Sequence, residues 1–151
     1  MSCQTQESVS ITKNKRIRGN YTITHPNLLQ YINQNLPPND TTTLLWIEDI
    51  YFDLDKANIN VKNQPKLAHI ASLIQGHPDD YQLILKGLYP KGQFTRIPLH
   101  YIRSKNIRKF LFSNYSISSD KIVLASKKNS VIKEAVEVYV KRCNYSSTID
   151  G

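Results

Sequence analysis

The stretch KGLYPKGQFTRIPLHYIRSKNIRKFL, residues 86–111, concentrates the side chains best suited to gripping a ligand. Arg103 falls one turn into a helix that Pro98 can open, because proline is favoured in a first helical turn. A guanidinium at that place presents a planar fork that matches a carboxylate bidentately. Lys105 and Arg108 share the helix, so Arg103 reads either as a ligand contact or as one charge of a solvated basic face. Tyr89 and Phe94 lie in the loop before it. Aromatic rings there can stack on a sugar, anchor a protein interface or pack beneath the loop.

Other reactive residue types are dispersed. His25, His69, His77 and His100 include no pair at metal-ligand spacing. The sequence has no G-x-S-x-G elbow, phosphate-binding loop or dinucleotide fingerprint, and its Ser and Cys residues lack an identifiable base. These features point to a protein that is not an enzyme and holds no metal or cofactor. Cys3 and Cys143 stand at opposite ends of the chain, where they can form a bridge but no disulfide framework. Cys3 leads a polar start, MSCQTQESVS, as the lipid-bearing cysteine of a mature bacterial lipoprotein does; an incidental exposed thiol is the alternative.

The chain has 151 residues, 40% of them hydrophobic, enough to bury the core of one domain with extensions. Twenty Lys and Arg against 12 Asp and Glu give a net charge of +8. Such a balance favours anionic partners: nucleic acid, phospholipid headgroups or the carboxylate-rich cell wall. The charges are spread out, however, which also fits a soluble, self-repelling surface. No run reaches the roughly 18 apolar residues of a membrane span, and no signal-peptide pattern precedes the folded part.

These residues need a scaffold, and periodicity supplies one. Residues 1–20 read as a polar tether. HPNLLQYINQNLPPND carries Leu28, Leu29 and Ile32 at helical spacing and is stopped by Pro37 and Pro38. TTTLLWIEDIYFDLDKANIN reads as extended, with Ile50, Phe52 and Leu54 alternating against Tyr51, Asp53 and Asp55. Trp46, near its start, is expected in core or edge packing. Leu67, Ile70, Ala71 and Ile74 mark a helix ended by Gly76 and Pro78. Tyr81, Leu83 and Leu85 mark a strand, and Leu99, Ile102, Phe110 and Leu111 the buried stripe of the basic helix. DKIVLAS and KEAVEVYVKR are strands, the second with Val136, Val138 and Val140 on one side. The order β-α-β-α-β-β implies an α+β two-layer sandwich, with two helices on one face of a four-stranded sheet.

These segments, in this order, resemble the OmpA-like C-terminal domain of bacterial envelope proteins over roughly Leu44 to Arg142. IYFDLDKANI resembles the family's apolar-Phe-x-x-x-x-Ala first strand, and LKGL the second strand that leads to Gly-(His/Tyr)-Thr-Asp. LHYIRSKNIRKFL is similar to the Leu-Ser-x-x-Arg-Ala-x-x-Val helix, with Leu99 and Arg103 in register. ISSDKIVLAS resembles the third strand with its linker, and AVEVYV the closing strand. Residues 1–42 are then a tether and short helical extension, 43–143 the domain, and 144–151 a tail. The resemblance implies a peptidoglycan site that holds the ammonium and carboxylate of diaminopimelate between an acid and Arg103. It places Gly87, Tyr89, Phe94, Arg96 and Leu99 around that site.

Half of that clamp departs from the family pattern. Pro90 stands where the family has its Asp, and Arg96 where it has an Asn donor. Glu134 and Ala135 replace a pair of arginines, and Ser126, Lys127 and Lys128 replace a Gly-x-Gly. A charge-assisted hydrogen bond contributes about 1.5–3 kcal/mol, so losing the acid weakens muropeptide binding by roughly tenfold to several hundredfold. The expectation is a structural or docking subunit of an outer-membrane or secretion assembly in the periplasm, partnered by other envelope proteins. Accessory lipoproteins of type IV secretion systems are one setting for such a domain. A functional peptidoglycan anchor using Arg103 is the first alternative, and nucleic-acid binding driven by the +8 charge is the second.

Overall fold

The computed structural model of the chain describes residues 13–15, 28–90, 98–129 and 133–143. In chain order the elements are β1 (Lys13–Lys15), α1 (Leu28–Asn35), β2 (Thr43–Tyr51), α2 (Gln64–Gly76), β3 (Tyr81–Pro90), α3 (Leu99–Tyr115), β4 (Ile122–Asn129) and β5 (Ala135–Arg142). The strands form one mixed sheet in the order β1-β2-β5-β3-β4. β5 is antiparallel to both β2 and β3, whereas β3 and β4 are parallel. Four long strands with β1 added at one edge match the expected α+β sandwich.

Alternation explains the sheet's inner face. Val136, Val138 and Val140 meet Leu83 and Leu85 of β3 in one apolar layer, which α2 covers with Leu67, Ile70, Ala71 and Ile74 and α3 with Ile107 and Leu111. Leu28, Ile32 and Leu36, on and just after α1, join the same core. In β2 the register shifts between Trp46 and Glu48, so Ile47 is the extra residue of a β-bulge. The bulge resets the parity, and Leu45, Ile47 and Ile50 are all buried despite unequal spacing.

The opposite face is buried as well, through Leu44, Ile84 and Tyr139 and through paired charges. Glu137 is 2% exposed and accepts from the Tyr139 hydroxyl at 2.7 Å and Lys127 Nζ at 3.2 Å. Asp49 accepts from Trp46 Nε1 at 2.9 Å and Lys133 Nζ at 2.8 Å, and Trp46 packs partly buried against Leu44, Ile84 and Tyr139, the core-packing side of the expectation. Buried carboxylates persist only when partnered in this way. Cys143, just after β5, is buried and disulfide-bonded. The one other cysteine of the sequence, Cys3, lies outside the described residues.

Three sequence expectations need correction. Lys13–Lys15, read as part of the polar tether of residues 1–20, form β1 and pair parallel with β2, because backbone hydrogen bonding to an open strand edge needs no apolar period. The extended reading of residues 41–60 fails after Tyr51, where β2 ends, and Leu54 is 69% exposed rather than inward. Asp55 adopts the left-handed conformation, φ 60°, and turns the chain there. In α3 the buried face is Arg103, Ser104, Ile107 and Leu111, whereas Leu99, Ile102 and Phe110 are only half-buried. A polar pair at the centre of the face misled a stripe drawn from hydrophobicity.

Candidate functional site

Gly87 determines how closely α3 approaches the sheet. A Cβ on Gly87 would stand 2.4 Å from the His100 carbonyl oxygen and 3.0 Å from Ser104 Oγ. Only glycine permits that approach, so its place is at the seam between β3 and the first turns of α3. Tyr89, two residues on, lays its ring 4.7 Å from the His100 ring at a 32° tilt. Burial pushes the His100 pKa down, which favours the neutral imidazole in this stack. Leu99 opens α3 and is half-buried. Phe94, Arg96 and Cys3 lie outside the described residues.

Arg103 follows one turn into α3 and is 2% exposed, so it is no part of a solvated basic face. Its Nε donates to the Lys56 carbonyl at 2.7 Å. Its Nη2 donates to the Asp53 carbonyl at 3.1 Å and to Glu134 Oε1 at 2.7 Å. The guanidinium lies over the Phe52 ring, 5.0 Å from its centroid. Asn106, one turn later, donates to the Ala57 carbonyl at 2.7 Å. The Phe52–Ala57 segment is thus fastened to α3 by a ring beneath the guanidinium and three carbonyls. Glu134 closes the cluster from the β5 side, and its carbonyl also accepts from Phe52 N at 2.8 Å.

The chemical consequence follows from the donor geometry of arginine. A guanidinium offers two edges for a bidentate carboxylate, Nε with Nη2 and Nη1 with Nη2, and both need an Nη2 hydrogen. In this chain the two Nη2 hydrogens face Asp53 and Glu134. The cluster therefore already contains a carboxylate, supplied in cis, and the Nη2 hydrogens that both edges require are directed at Asp53 and Glu134.

The other half of the clamp would stand at the far end of β3. Pro90 is that strand's last residue, aligned with Asn129, and the preceding pairs set Lys127 and Lys128 beside Leu88 and Tyr89. Lys127 is spent on Glu137, and Lys128 sets a positive charge near the position where the family pattern has an acid for the ammonium group. The Glu134 partnership and the Asn106 tie were not found from the sequence. The replacement of a family arginine by Glu134 was the available signal, since a charge reversal beside a retained Arg103 creates a pair.

No family model matches the chain, and no curated protein matches it in sequence. Solved structures do resemble it. The peptidoglycan-associated lipoprotein from Burkholderia pseudomallei superposes with a TM-score of 0.53 at 15% identity, covering 62% of this chain and 89% of its own. An outer membrane protein from Borrelia burgdorferi B31 gives 0.51 at 19% identity, covering 64% and 86%. The cell wall anchor of the T6SS from Pseudomonas aeruginosa gives 0.50 at 13% identity, covering 78% and 98%. At these identities the likeness establishes the fold, which is the OmpA-like fold that the sequence segments resemble.

Proposed function

We propose that the chain is a non-enzymatic cell-envelope protein whose OmpA-like module serves as a structural or docking subunit, with weakened or lost grip on diaminopimelate. The observation that carries this reading is the Arg103 guanidinium, both of whose bidentate edges are occupied through Asp53 and Glu134. The names of the similar structures, a peptidoglycan-associated lipoprotein, an outer membrane protein and a cell wall anchor, support an envelope setting. A disulfide at Cys143 supports an oxidising compartment such as the periplasm. In this reading residues 43–143 are the module and 1–42 and 144–151 its extensions, with α1 seated in the module's core.

The competing reading is a wall anchor that grips through Arg103, and it requires a ligand carboxylate to displace Glu134. Sedimentation with purified sacculi separates the two. The docking subunit stays in the supernatant, and Glu134→Gln leaves it there. Saturable sedimentation that free muropeptide reverses would establish the anchor instead.

A further inference from the structure

Helix α3 turns a second face outward, and the whole of Leu99–Tyr115 contains no acidic residue. At about 100° per residue, Tyr101, Lys105, Arg108, Lys109 and Phe112 fall within roughly 100° of arc, on the side away from Ile107 and Leu111. Tyr101 is 44% and Phe112 60% exposed, Lys105 and Lys109 are exposed, and Arg108 is half-buried. None of the three cations has an ion pair among the described residues. The stripe thus has an aromatic ring at each end, about 16 Å apart along the axis, and between them three cations with no ion pair among the described residues.

We infer that this stripe docks an acidic segment of a protein partner, one whose apolar side chains bracket a cluster of carboxylates. The inference rests on the docking-subunit reading but uses no residue of the Arg103 cluster. Charge complementarity sets the sign of the partner. Exposed Tyr and Phe flanking Arg are the composition of interface anchors, where most of the binding energy concentrates. The cations lie within four residues, about 6 Å of helix rise, and so meet carboxylates gathered on one short segment. A phosphate backbone, with a charge every ~1.7 Å of duplex axis, rewards cations spread along the whole contact, and here the ends are aromatic.

The test uses the full chain and three labelled probes in about 0.15 M salt: poly-glutamate, a glutamate–tyrosine copolymer and oligothymidylate. The copolymer is expected to bind at least about tenfold tighter than poly-glutamate. Tyr101→Ser with Phe112→Ser should erase that difference, and Lys105→Glu with Lys109→Glu should abolish binding of both polymers. All four positions are exposed, and circular dichroism verifies that each variant is folded. Equal binding of the two glutamate polymers, no binding of the copolymer, or oligothymidylate binding as tight as the copolymer through the same residues overturns the inference. Wall binding in the sacculus assay would instead overturn the docking-subunit reading, so the two failures are distinguishable.

Discussion

Arg103 Nη2 donates to Glu134 Oε1 at 2.7 Å, joining the third helix to the residue that leads into the last strand. The same guanidinium holds the carbonyls of Asp53 and Lys56 and covers Phe52. One side chain thereby closes the junction of three segments, and the carboxylate it grips belongs to the chain itself. A residue placed to recognise a ligand in the family pattern acts here as an internal fastener.

That role makes Arg103 a stability residue. Arg103→Met keeps the stem packed on Phe52 but leaves two carbonyls and Glu134 without their donor. Removing one partner of a buried pair costs about 3–5 kcal/mol, and Glu134, 30% exposed, brings the expectation down to roughly 2–4 kcal/mol. Glu134→Gln retains an acceptor and should cost roughly 1 kcal/mol. Urea unfolding measures both, and equal, near-zero losses would mean that the pair is a surface contact.

Gly87 and Ser104 face one another across the seam between β3 and α3, and substitutions at them should act oppositely. Gly87→Ala sets a Cβ against the His100 carbonyl and should cost roughly 1–3 kcal/mol through overpacking. Ser104 Oγ is buried with no hydrogen-bond partner among the described residues. Ser104→Ala removes that unpaired hydroxyl and should be neutral or slightly stabilising. Thermal unfolding of the two single variants checks the contrast.

Cys143 is disulfide-bonded, and the chain holds one other cysteine. A sulfur engaged in a disulfide cannot also carry a lipid thioether, so the bridge and lipidation of Cys3 are mutually exclusive for an intramolecular pair. Non-reducing peptide mapping of protein made in an oxidising compartment should release the Cys143 peptide only after reduction. A free Cys143 thiol together with a lipid mass on Cys3 would reverse that expectation.

Much of the scaffold was legible because it follows simple periods. Val136, Val138 and Val140 alternate, and Leu67, Ile70, Ala71 and Ile74 recur at helical spacing, as the structure places them. The Phe-x-x-x-x-Ala pattern was legible but not its turn conformation after Tyr51, in which Phe52 lies beneath Arg103 and the Ala57 carbonyl receives Asn106. The buried face of α3 was not legible, because Arg103 and Ser104 occupy its centre and apolar residues nearby drew the stripe aside. Nor was the Arg103–Glu134 pair, whose members are 31 residues apart and meet only through the sheet's topology. Local period reports which side of an element is inward; it does not report which polar groups meet there.

The claim that Arg103 is closed to ligands is tested most directly at its own Nε–H. In a 15N-edited spectrum of the folded chain, the Arg103 Nε–H, bonded to the Lys56 carbonyl, should appear as a dispersed, slowly exchanging resonance. Titration with a diaminopimelate-containing muropeptide should leave that resonance in place, in the wild type and in Glu134→Gln alike. A saturable shift of the wild-type Arg103 Nε–H on adding the muropeptide would contradict the account.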